Sequence, residues 1–322
     1  MLLSVIIPVY NVDLYVGICL DSIYDGAVDE DSFEVIVVND GSTDDSAATV
    51  ERYAGRHRNL TILSQENQGL SLARMNGLSR ALGEYVWFVD SDDYLAKNAI
   101  QSILMLIQTK DAPAVIMTPV SRSDANTGSQ RLDYEIDRPR LMDGQNVLLD
   151  PRFPQWTASR FILRRDLFDN KWLYFPPGLI HEDEYFGAIL LMLAGRVLVH
   201  DKVLIHHRFR PGSIMQTISI RSSYDYVSNY VLIRAFAATL PQPSKGAFLR
   251  HAQRLLVNSY TTNEKNWRTW EFRRFKCKKG PYIISEFVWN HGLYSFPELA
   301  SLLFLFVAPN TFRKRFPIAP RQ

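Results

Sequence analysis

The stretch WFVDSDDYL, Trp87 to Leu95, sets three carboxylates within four positions, directly behind an apolar run. Trp87, Phe88 and Val89 have the composition of a buried strand end. Acids crowded at its tip repel one another, and a divalent cation would offset that repulsion.

Outward from this strand the first 120 residues alternate between two kinds of segment. Short apolar, β-branched runs at Ser4 to Tyr10, Phe33 to Asn39, Thr61 to Ser64, Tyr85 to Val89 and Val115 to Thr118 predict strands. Helix-length segments begin near Leu14, Thr43, Leu70 and Lys97. The runs VIIPV and VIVV lack polar alternation, as expected of strands covered on both faces, so the fold class is α/β with a mostly parallel sheet flanked by helices. Ser42 or Thr43 ahead of Asp44 and Asp45, and Ser91 to Asp93 ahead of Lys97, offer capping oxygens and first-turn acids. Residues 121–150, with SRSDANTGSQ and DRPRLMDGQN, predict loops and short helices.

Bulk composition limits the classes. The chain has 322 residues, 47% of them hydrophobic and 22% charged, enough for one large or two medium globular domains and unlike a disordered chain. Its formal charge of +2 conceals an asymmetry, because residues 245–322 hold 14 Lys/Arg against 4 Asp/Glu. Cys19 and Cys277 cannot form a disulfide framework and suit a reducing, cytoplasmic compartment. MLLSVIIPVYN lacks the basic residues and cleavage site of a leader and predicts a first strand. LASLLFLFVAP stops at Pro309 after roughly ten apolar residues, short of the ~20 that span a bilayer. With Arg313 to Arg315 and RRFKCKK nearby, it is either a core helix or a peripheral contact with anionic lipid.

Right-handed crossovers gather the carboxyl ends of parallel strands on one edge, where ligands bind at the point of order reversal. Tyr10, Asn11, Asn39, Asp40 and Asp90 end their strands and should face one crevice. Neither glycine-rich phosphate loop follows any of these strands, so backbone amides would not cradle phosphates in those two ways. Hard oxygen ligation of Mg2+ or Mn2+ by the D-x-D acids would take over that task.

Five motifs in order, SVIIPVYN, VIVVNDGSTDDS, NQGLSLARMNGL, WFVDSDD and HEDEYF, resemble family 2 glycosyltransferases, the inverting enzymes of GT-A fold. The resemblance covers residues 1 to about 215. It implies a nucleotide-sugar donor, commonly UDP-linked, a divalent cation on its diphosphate, and a glycan or lipid-linked acceptor in surface polysaccharide assembly. Residues 1–219 would be the catalytic domain and 220–322 a basic helical appendage, working in the cytoplasm or at the cytoplasmic face of the membrane.

The resemblance also implies roles. Asp40 accepts from the uracil, with Pro8 and Tyr10 shaping the pocket floor; otherwise Asp40 is a turn acid and Tyr10 a packing residue. Arg74 meets phosphate or braces the acidic cluster. Asp90 and Ser91 contact the donor, with Asp90 at the ribose, and Asp92 holds the metal, whereas Asp93 is open to a helix cap. In LIHEDEYFG, Asp183 corresponds to the catalytic base and Glu182 to its neighbour, the alternative being an acidic first helical turn. LIHHRFRPGSIM places His206, His207, Arg208, Arg210 and Ser213 in a loop closing over the diphosphate, with either histidine a candidate metal ligand, or else in a surface strand and turn. Trp156 resembles the tryptophan near the acceptor.

HEDE lacks the second histidine of H-E-x-x-H, which excludes a zinc protease. Trp267, Trp270, Phe272 and Phe275 lie among basic residues but belong to no nucleic-acid module, so no nucleic-acid partner is expected. A nucleotidyltransferase would carry a glycine-rich basic N-terminal loop that is missing here. A non-catalytic sugar-nucleotide or glycan binder on the same fold is the remaining alternative.

Overall fold

The computed structural model describes residues 1–26, 29–109, 111–124, 130–153, 157–209, 220–242, 244–261 and 279. The chain divides into two compact units, residues 1–216 and 217–322. The first unit contains β1 (Leu3–Val9), α1 (Asp13–Ile23), β2 (Phe33–Asn39), α2 (Ser46–Ala54), β3 (Leu60–Ser64), α3 (Leu70–Arg80) and β4 (Tyr85–Phe88). It continues through β5 (Tyr94–Leu95), α4 (Ala99–Ile107), β6 (Val115–Met117), β7 (Val120–Asp124), β8 (Gln130–Leu132), β9 (Arg140–Asp143), α5 (Gly144–Leu149), β10 (Phe161–Arg164), α6 (Glu182–Leu193), β11 (Arg196–Val199) and β12 (Ile205–Phe209). The large sheet runs β3-β2-β1-β4-β10-β6-β11-β9, and a smaller one runs β5-β12-β7-β8.

The large sheet is mostly parallel, with β10 antiparallel to β4 and β6, and β9 antiparallel to β11. Its central strands are buried on both faces: every residue of β1 is buried, and α1 delivers Val16, Cys19, Leu20 and Ile23 to the core. Helix α3 lies so close to β1 that a Cβ on Gly77 would sit 2.4 Å from Ile6 Cγ2. In the second unit α7 (Ile220–Ala237) and α8 (Ser244–Thr261) pack on each other, with Phe236 edge-on to Phe248.

Strand order reverses at β1, which has β2 on one side and β4 on the other. The amides of Tyr85 and Val89 donate to Leu2 and Ile6, whereas the Asp40 amide donates to Val9. Even-numbered residues of β1 therefore bond toward β4 and odd ones toward β2. Pro8, with no N–H to donate, falls on the β4 side just past the last paired residue, Ile6. The two strands part there, at the edge where the crevice is expected.

Two expectations are corrected. Residues 121–150 are not loops and short helices alone: β7, β8 and β9 lie there, together with α5. Their polar sequences hide the strands because the ladder comes from distant partners, β12 for β7 and β11 for β9. Nor do the predicted capping groups cap. Helix α2 begins at Ser46 and α4 at Ala99, each without a side-chain cap bond. Asp44 instead accepts from the amides of Asp13 and Ser46, and Asp93 is committed to β12. Among the described residues no helix is long and apolar enough to cross a membrane. LASLLFLFVAP and the aromatic residues from Trp267 to Phe275 lie outside the described residues.

Candidate active site

The crevice is organised around Arg74. This arginine stands on the buried face of α3, 1% exposed, with Phe175 4.9 Å beneath its guanidinium. Its Nη2 donates to Asp90 Oδ1 at 2.7 Å, and its Nη1 donates to Glu182 Oε1 at 2.7 Å and Asp183 Oδ1 at 3.1 Å. A planar fork suits such convergence. Of the two roles open to Arg74, the structure exhibits the brace. The D-x-D strand end and the first turn of α6 are thereby tied together, although their residues lie far apart in sequence.

One guanidinium against three carboxylates leaves the cluster short of positive charge. Burial is the main cause that raises Asp183, to about 8; Arg74 opposes it, while Glu182 and Asp90 add to it. Burial likewise raises Glu182, against Arg74. Asp183, 21% exposed at its side chain, also accepts from the Ala158 amide. His181, just before the helix, has φ 65, a left-handed conformation uncommon outside glycine and found at strained functional turns. The acids of HEDE form the first turn of α6, and Glu182 and Asp183 also meet Arg74.

The tip of β2 is held separately. Asp40, 3% exposed, accepts from Gln65 Nε2 and from the amides of Gln68 and Gly69, and Asn76 in turn holds Gln65. Gly41 turns the chain there at φ 73, where a Cβ would meet the Asn67 amide at 2.9 Å. At the tip of β1, Tyr10 is 48% exposed, and Asn11 accepts from the Thr43 amide. Pro8 is buried in β1 and Ser91 beside Asp90.

Asp93 links the acidic loop to β12. Fully buried, it accepts from the Arg208 amide and bonds His207 Nδ1 at 3.0 Å. Burial pulls His207 down most, but the charge and hydrogen bond of Asp93 outweigh it and hold the imidazole near 9. His206 stacks on Tyr94 with centroids 4.8 Å apart, and its Nδ1 is buried without a hydrogen-bond partner. The Arg208 guanidinium lies over the rings of Tyr15 and Tyr94. Arg210, Ser213 and Trp156 lie outside the described residues.

Sequence reasoning missed Gln65, Asn76 and Phe175. NQGLSLARMNGL contains or adjoins the first two, but nothing in the chain order marks an aromatic platform a hundred residues from Arg74.

Among the described residues no group of three or more His, Cys, Asp or Glu is arranged to hold a metal. A Mg2+ or Mn2+ site of one or two carboxylates, completed by donor phosphates and water, needs no such group. The half-buried Asp90 and Asp92 at the crevice are hard oxygen donors of that kind, and Asp90 has one oxygen engaged by Arg74. His207 has its Nδ1 engaged by Asp93.

The model of the family described as "Glycosyl transferase family 2" matches residues 4–171, more than half of the chain. The chain belongs to glycosyl transferase family 2. Among curated family relatives, the uncharacterized glycosyltransferase EpsJ of Bacillus subtilis is 30% identical over 227 residues, covering 67% of this chain and 63% of that one. The glycosyltransferase GlyG of Streptococcus pneumoniae is 32% identical over 230 residues, covering 67% and 73%. The chain thus spans less than two thirds of EpsJ. Among solved structures, Staphylococcus aureus TarS 1–349 in complex with UDP-GlcNAc matches with a TM-score of 0.67 at 23% identity, covering 97% of this chain and 88% of that one. The mannosyltransferase PcManGT of Pyrobaculum calidifontis, in complex with GDP-Man and Mn2+, matches at 0.56 and 19% identity. These likenesses establish the α/β fold of the family, a large sheet flanked by helices.

Proposed function

We propose that the protein is an inverting glycosyltransferase that moves a sugar from a UDP-sugar to a glycan or lipid-linked acceptor in surface polysaccharide synthesis. The observation that carries this reading is the Arg74 fork, which brings Asp183 to the same crevice as the D-x-D strand end. Relatives support it, for Staphylococcus aureus TarS is a poly(ribitol-phosphate) β-N-acetylglucosaminyltransferase whose structures contain UDP-GlcNAc and UDP.

Asp40 and the exposed Tyr10 receive the nucleoside base, Asp40 through the lone pairs left on its anchored carboxylate. Asp90 and Ser91 receive the ribose side of the donor. Asp92, with Asp90, holds a Mg2+ or Mn2+ that, when bound, stabilises negative charge on the departing diphosphate. Arg208, Arg210 and Ser213 serve that diphosphate, and Trp156 lies on the acceptor side.

Asp183 takes the proton of the acceptor hydroxyl as its oxygen attacks the anomeric carbon from the face opposite the diphosphate. The bond from that carbon to the diphosphate oxygen breaks, the electron pair leaves with the diphosphate, and the configuration inverts. A base held near 8 is well matched to this work at neutral pH. Glu182 and Asp90 raise the basicity of Asp183, and Arg74 fixes its direction. The protein acts at the cytoplasmic side of the membrane, where the basic residues 245–322 favour anionic lipid.

Asp183→Asn is the test. Transfer and donor hydrolysis should fall about 10²- to 10⁴-fold, the usual contribution of a general base, with UDP-sugar affinity retained. Unchanged turnover in the variant would remove Asp183 as the base, whereas no turnover of any nucleotide-sugar by the native chain would leave a non-catalytic binder as the reading.

A further inference from the structure

The small sheet carries a row of cations. Its register sets Arg131 of β8 opposite Arg122 of β7, and Arg122 opposite His207 of β12. Residues directly opposite share a face with Cβ atoms ~5 Å apart, and like charges so placed are destabilising. His207 is answered by Asp93, and Arg160 close behind the row is ion-paired with Asp133.

Arg122 is not answered. Half-buried in β7, it makes no hydrogen bond or ion pair among the described residues, and its Nε is sealed from solvent without a partner. Its surroundings work against its charge: burial first and then Arg131 disfavour the protonated form, with Asp93 in opposition. A guanidinium kept in that position is unexplained by folding, since leaving a buried donor unsatisfied is destabilising.

The row also has a direction. It starts at β12, beside the acidic loop, and runs outward through β7 to β8, away from β5. The 3-10 turn Ala158–Arg160 gives its first amide to Asp183, while its Arg160 lies close enough to Arg122 for the two charges to repel. Arg122 is thus linked by charge both to Asp93 of the acidic loop and to Arg160, whose turn bonds Asp183.

We infer that this row recognises a phosphate group on the acceptor, received by the Arg122 guanidinium as a two-pronged hydrogen-bonding partner. The inference rests on the glycosyl-transfer reading and adds the chemical class of the acceptor. The phosphate comes from a phosphodiester within a polyol-phosphate chain or from the diphosphate of a lipid-linked sugar; the chemistry at Arg122 is the same.

The test uses the full chain, with Arg122→Gln and Arg122→Lys. Transfer is measured to a polyol-phosphate oligomer, to a polyprenyl-diphosphate-linked sugar and to a neutral oligosaccharide, with slow donor hydrolysis, which uses no acceptor, as the reference. Loss of one charge-assisted contact should raise KM for a phosphate-bearing acceptor about 10- to 100-fold in the Gln variant and less in the Lys variant. Whichever phosphate acceptor responds identifies the source. Equal effects on the neutral acceptor, a matching rise in donor KM, or no change in any KM would overturn the inference. Glycerol phosphate binding, followed by calorimetry on native and Gln proteins, gives a readout free of turnover. If the native chain turns over no nucleotide-sugar yet binds glycerol phosphate through Arg122, the transferase reading fails and the anion site stands; if Arg122→Gln binds it equally well, the site itself fails.

Discussion

Replacing Arg74 with leucine removes the one cation that three carboxylates share while keeping an apolar side chain above Phe175. Breaking a buried ion pair by deleting one partner costs about 3–5 kcal/mol, since the remaining charge is left uncompensated. For a unit of this size that is roughly 10 °C in Tm. The defect should depend on pH with a definite sign. Arg74 lowers Asp183 and Glu182 against burial, so its removal raises both further. In the native protein the folded Asp183 keeps its proton to about 8, against ~3.9 unfolded. Its contribution to stability is therefore full below about pH 4 and lost as pH rises toward 8. In Arg74→Leu that loss continues above pH 8, so urea melts should give a larger deficit at pH 9.5 than at pH 6. Equal deficits at the two pH values, or a deficit under about 1 kcal/mol at pH 9.5, would refute the shared-cation account.

Chelation should abolish donor hydrolysis and added Mn2+ should restore it; Asp92→Asn should raise the metal concentration needed at least tenfold, read from hydrolysis rates across a Mn2+ titration. Gly77→Ala sets two effects against each other: helix propensity would gain about 1 kcal/mol, but the new methyl meets Ile6 Cγ2 in a filled core, so a net loss of about 1–3 kcal/mol is expected from denaturant melts. The His207 ring should hold its proton up to about pH 9, which NMR titration of the imidazole measures; a midpoint near 6.5 would mean that the Asp93 pairing does not persist in solution.

Much of the scaffold was legible in order along the chain. The second strand runs from Phe33 to Asn39 as its apolar run predicts, and α3 begins at Leu70. β7 to β9 were not legible, because SRSD and QRL have no apolar face of their own and become strands only when β12 and β11 offer hydrogen bonds. Asp93 illustrates the same limit at the site. Its position before a helix is that of a cap, yet the middle of β12, 114 residues later, claims both its oxygens.

What the sequence determined by itself was local: apolar runs too continuous for surface strands, acids at their carboxyl ends, and a motif order that fits one family. Only the tertiary structure decided which charges meet. Arg74 and Glu182 are 108 positions apart, and nothing in either segment names the other. Backbone pattern follows from burial of near neighbours, whereas a charge finds its partner only after the sheet has closed the distance and removed the water between them.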